Sequence, residues 1–104
     1  PAAVLLRAVE PVEGLEIMAV RRPGRRQREW TNGPARLALA FGVNGTHNGI
    51  DMAAEGSPLR FKAGEPVPDE QVRTGPRVGI NVPEPWQSKP WRLWVEGSPY
   101  VSRG

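Results

Sequence analysis

A chain of 104 residues, 38% hydrophobic and 24% charged, is one small domain or part of a larger one, and it is too apolar for a simple disordered segment. Its formal charge of +3 and pI of about 10.2 make nucleic acid a candidate partner and, taken alone, no more than that. With no cysteine and only His47 for a histidine, disulfides, thiolate or zinc centres and Ser-His-Asp triads are disfavoured.

Lys62 and Lys89 are the only lysines; every other cation is arginine. The arginine fork suits phosphate, although a coding bias toward arginine explains the same ratio. Glycine and proline, 12 each, predict short elements joined by tight turns. No apolar run approaches a membrane span and no signal peptide opens the chain, so a soluble intracellular protein is expected. The start at Pro1, without methionine and close to the apolar run at Val4, is expected of a piece of a longer protein.

In chain order, residues 4–10 predict a largely buried strand stopped by Pro11. Leu15, Met18 and Ala19 recur at helical spacing, predicting a helix over 13–22 that Pro23-Gly24 ends. The arginine-rich stretch 21–28 reads as a basic loop. A second helix is predicted from Pro34, capped by Asn32 and closed by Gly42, with Leu37, Ala38 and Phe41 on its apolar face and Ala40 a further candidate. Residues 45–52 are turn-rich. Strands are predicted at 59–62, 77–82, 92–95 and 100–102, the third covered on both faces. The fold class expected is α+β, with a mainly antiparallel sheet flanked by short helices.

Five segments carry a resemblance in their order and spacing: VLLRAVEPVEGLEIM at 4–18, TNGPARLALAFGV at 31–43, THNGID at 46–51, GPRVGI at 75–80 and KPWRLWVEGSPYVS at 89–102. Together they resemble the C-terminal half of the alkyladenine (3-methyladenine) DNA glycosylase family, over nearly the whole chain. The resemblance implies a single segment, 1–104, forming half of a glycosylase domain, with a curved antiparallel sheet surrounded by helices.

The resemblance also implies a monofunctional enzyme of base excision repair. Such an enzyme flips an alkylated or deaminated purine out of duplex DNA and hydrolyses the N-glycosidic bond with an activated water, without metal or cofactor. Flipping is required because the sugar carbon is out of reach while the base is stacked. A carboxylate activates the water and faces the oxocarbenium-like charge. In the family this glutamate, the stacking aromatics and the intercalating tyrosine lie in the N-terminal half, so the chain by itself is expected to be inactive. Glu10 and Glu13 flank Pro11 in a strand-to-helix turn and are not substitutes.

Residue by residue, Arg7 matches the family's strand arginine that helps hold the nucleophilic water. Amid Val4, Leu5, Leu6, Ala8 and Val9 a buried charge needs a partner; the alternative is a structural salt bridge to an acid of the sheet. Val78 matches the position whose main-chain carbonyl faces that water, and Leu5 is a candidate pocket wall or core residue. Gly33 and Arg36, at a helix start, are candidates for a DNA phosphate, or else belong to an ordinary surface helix. Arg25 and Arg26 are expected in a solvated loop whose DNA contacts, if made, are nonspecific. Arg77 is expected to bond the backbone of a neighbouring loop, the alternative being a DNA contact, and His47 to be a turn residue. Trp30, Trp86, Trp91 and Trp94 invite a base-stacking reading, but packing is expected of them, Trp91 and Trp94 as sheet scaffold.

The expected partner is duplex DNA with damaged purines, bound by a monomer or by the chain paired with its own N-terminal half, and no membrane. The expected location is the cytoplasm and nucleoid in a bacterium, or the nucleus in a eukaryote. Two competing readings are a non-catalytic DNA-binding module on the same scaffold and an inactive structural fragment.

Overall fold

The computed structural model describes residues 3–102. Two short helices come first, α1 at Leu15–Arg21 and α2 at Pro34–Phe41, and a two-stranded antiparallel sheet follows, β1 at Val72–Gly75 and β2 at Arg92–Val95. The protein is thus a small α+β unit, as its sequence predicts.

Helix α1 starts after Gly14, whose φ of 73° lies in the left-handed region that glycine enters without steric cost. The Gly14 carbonyl accepts from the amides of Ile17 and Met18. The Arg22 amide donates to Met18 at the other end, and Pro23-Gly24 prevents a further turn. Helix α2 places Pro34 in its first turn, where a missing N–H costs nothing, and ends on Gly42 at φ 68°. Its cap differs from expectation. Gly33, not Asn32, is the N-cap, and it makes no side-chain cap; the Asn32 Oδ1 accepts from Arg36 Nη1 at 2.7 Å instead.

Met18, Trp30 and Ala40 are buried together, with Leu15 packed against them. Ala40 is fully buried whereas Phe41 is 39% exposed, so α2 turns a small residue toward α1. Thr31 is also fully buried, and its hydroxyl donates to the Val9 carbonyl at 2.7 Å. An isolated antiparallel bridge joins Ala8 to Asn32. These two links hold the first extended segment against the entrance to α2.

The predicted strand at 4–10 is extended chain without a ladder among the described residues. Val4 is 87% and Leu5 66% exposed, against the buried strand expected. The predicted strands at 59–62, 77–82 and 100–102 are loops or turns. Strand β1, which the sequence reading missed, pairs Val72 with Val95 and Gly75 with Arg92. Arg73 forms an ion pair with Glu96, and Arg92 lies 4.3 Å from the centre of the Trp94 ring. Leu93 stays open, so β2 is not covered on both faces.

The radius of gyration, 15.1 Å, exceeds the roughly 13 Å of a compact domain of this length. Few large side chains are buried, and the apolar segment 4–6 has no cover among the described residues. A sheet with two strands of four residues is also small for a self-sufficient core.

Candidate functional site

Arg7 sits half-buried in the extended segment, one residue before the bridge from Ala8 to Asn32. No hydrogen bond or ion pair engages it among the described residues; the salt bridge there joins Arg73 to Glu96, far along the chain. The structural alternative for Arg7, an acid of the sheet, is therefore not realised among those residues. Leu5, two residues earlier, stands open to solvent.

Val78 lies in a half-buried loop between β1 and the turn at 84–88. The Gln87 side chain braces that loop: Val82 donates its amide to Oε1 at 3.0 Å, and Nε2 donates to the Ile80 carbonyl at 3.2 Å. Arg77 Nη2 donates to the Trp86 carbonyl at 3.4 Å, the neighbouring-loop contact expected of it. No hydrogen bond links Arg7 to Val78 among the described residues. The two expected water-positioning residues are thus on separately anchored segments.

At the start of α2, Arg36 is exposed and folds back onto Asn32. Gly33 has φ 171°, ordinary extended backbone, so its value there is not conformational. A Cβ at Gly33 would come within 3.9 Å of Arg36 Cδ, an ordinary contact. The first-turn amides of α2 and the Arg36 guanidinium, which is bonded to Asn32, are the candidates for an anion at this end of the helix.

The arginines of the 21–28 stretch fall into two groups. Arg21 donates to the Ala40 carbonyl and Arg22 to the Glu29 carbonyl, so both serve the fold. Arg25, Arg26 and Arg28 are exposed, and their side chains have no partner among the described residues. Trp30 fastens the loop beneath them by donating Nε1–H to the Arg25 carbonyl at 3.1 Å. Three exposed, permanently positive groups on a pinned backbone attract a polyanion at long range.

His47 takes the turn role expected. The Asn44 amide donates to its Nδ1 at 3.2 Å, and Asn44 Oδ1 accepts from the Thr46 amide at 2.9 Å. Trp86 and Trp91, expected as packing residues, are both half exposed and sit beside Arg77 and Lys89. Only their proximity to proline and to cations hinted at this, because sequence spacing does not reveal which rings meet.

The described residues thus form a basic α+β unit with solvent-exposed arginines and an uncovered apolar segment at 4–6, features compatible with a nucleic-acid partner. The chain is a member of the methylpurine-DNA glycosylase family, whose model matches residues 1–99. It is 48% identical over 103 residues to a protein of Bacillus subtilis named "Putative 3-methyladenine DNA glycosylase", covering 99% of this chain and 50% of that protein. Proteins with the same name from Streptomyces avermitilis (46% over 103 residues; 97% of this chain, 47% of that protein) and Myxococcus xanthus (44% over 103 residues; 99% and 47%) are similar. The chain spans about half the length of these curated relatives.

Proposed function

We propose that this chain serves as the C-terminal half of a monofunctional DNA glycosylase that excises alkylated or deaminated purines from duplex DNA. The family match over residues 1–99 carries this reading. The half-buried Arg7, free of any acid among the described residues, supports the mechanistic part. In this mechanism the damaged nucleotide is flipped from the stack. A water attacks the sugar C1′ as the N-glycosidic bond breaks, and the bond's electron pair leaves with the purine. A base alkylated at N3 already carries positive charge and departs neutral.

Arg7 and the Val78 carbonyl hold the attacking water, Arg7 by donating N–H and Val78 by accepting. Leu5 contributes to the pocket wall once the apolar segment is covered. The α2 start, with Gly33 and Arg36, binds a backbone phosphate, while Arg25 and Arg26 add nonspecific attraction. The carboxylate that takes the water proton and the tyrosine wedge belong to the family's N-terminal half, so the 104 residues alone release no base. The protein acts on DNA as a monomer. The deciding experiment is single-turnover release of 3-methyladenine or hypoxanthine from duplex DNA, using a full-length domain carrying this chain and its Arg7→Ala variant. Absence of release by the unmodified domain would refute the glycosylase reading.

A second reading, a non-catalytic DNA-binding module, is favoured by the three free arginines of the pinned loop. It requires equal affinity for damaged and undamaged duplex, weakening steeply with salt. Preferential binding of a lesion by the isolated chain counts against it.

A further inference from the structure

Trp86 and Trp91 lie beyond the residues assigned above, and they are 49% and 51% exposed. Their ring centres are 5.8 Å apart and their planes tilted by 38°. The Lys89 ammonium is 5.5 Å from the centre of Trp86 and 5.9 Å from that of Trp91. On Trp91 the Arg77 guanidinium lies 5.2 Å from the ring centre. Two open indoles are therefore flanked by two cations.

The backbone that carries them is braced. Glu84 accepts the Ser88 hydroxyl at 2.6 Å and its amide at 3.3 Å, closing the turn at 84–88. Gln87 bonds to both Ile80 and Val82, and Arg77 reaches the Trp86 carbonyl. Holding the rings in place lowers the conformational entropy lost when a ligand stacks on them. The exposure is not a consequence of a loose loop.

The chemistry selects the occupant. A protein surface apolar enough to cover two indoles would desolvate Lys89 and Arg77, at a cost unless it carried matching acids. A nucleic-acid strand supplies a flat π-face and a phosphate within one nucleotide, which matches rings beside cations. Bases paired within a duplex keep their faces stacked on each other, so the fit is to an unpaired nucleotide.

We propose that Trp86 and Trp91, with Lys89 and Arg77, form a stacking platform for single-stranded DNA, the base lying on an indole and the phosphate on the cations. This extends the DNA-binding reading above but does not involve the excision chemistry. The test is fluorescence anisotropy of a labelled oligo(dT) titrated with a full-length domain carrying this chain at several salt concentrations. Trp86→Ala or Trp91→Ala is expected to weaken binding by roughly tenfold, and Trp86→Phe to recover most of it because a phenyl ring still stacks. Lys89→Gln is expected to flatten the dependence on log salt by about 0.7.

Far-UV circular dichroism separates a folding defect from a lost contact, and rescue by phenylalanine keeps the test decisive if the alanine variants are perturbed. Affinities of both alanine variants for oligo(dT) within about twofold of the unmodified protein, or an equal weakening of their binding to matched duplex, would overturn the platform. Failure of base release with intact oligo(dT) binding would instead overturn only the excision reading.

Discussion

Arg21, the last residue of α1, donates from Nη1 to the Ala40 carbonyl in the last turn of α2 at 3.1 Å. One side chain thereby ties two helix ends together, placing a cation where the α2 dipole is negative and satisfying a carbonyl that has no partner further along its own helix. The bond crosses the seam in which Met18 and Ala40 are buried.

The same relationship makes Gly42 hard to replace. Its φ of 68° disfavours any Cβ, and an added one would stand 3.0 Å from the Arg21 guanidinium. Gly42→Ala is expected to destabilise the chain by about 1–2 kcal/mol, lowering the Tm by several degrees in a thermal scan. Arg21→Ala should cost about 1 kcal/mol. An unchanged Tm in Gly42→Ala would show that the α2 terminus is not held as described.

Thr31 fastens the first segment through its bond to Val9. Thr31→Val keeps the volume but leaves a carbonyl unsatisfied, and about 1–3 kcal/mol of stability is expected to be lost. Hydrogen exchange of the Ala8 and Asn32 amides is expected to accelerate as the segment lifts away. Protection equal to that of the unmodified chain would place the anchor elsewhere.

Arg7 has no ionic partner among the described residues. In a full-length domain, Arg7→Ala is expected to slow single-turnover base release by about 100-fold, because a misplaced nucleophile loses the advantage of orientation. DNA affinity is expected to change little. Release at the unmodified rate would remove Arg7 from the mechanism.

Arg25 and Arg26 stand free on a pinned loop. If they meet phosphate, replacing both with glutamine should reduce the slope of log K against log salt by about 2, with no change in lesion preference. An unchanged slope would make this loop a solvated surface and leave the binding to other cations.

Much of the local structure was legible because its causes are local. Pro34 and Gly42 bracket α2, and Pro23-Gly24 stops α1, through backbone constraints that act within a few residues. The segment 92–95 carries β2 as predicted. The ordered motifs also pointed to the family that the comparison with its model established. Arg7 and Val78 were nominated by those motifs, and their roles still require the kinetic test above.

The amino-acid order by itself determined that two helices form and where Pro23-Gly24 and Gly42 stop them, the basic balance and the family. The tertiary structure alone decided that Ala40 is buried while Phe41 is partly exposed, that Val72–Gly75 pairs with Arg92–Val95, and that Arg21 is consumed internally while Arg25 is not. It likewise brought Trp86 and Trp91 together beside Lys89 and Arg77. Propensities and caps depend on neighbours in the chain, whereas burial, strand partners and the availability of a charge depend on segments that meet only after folding.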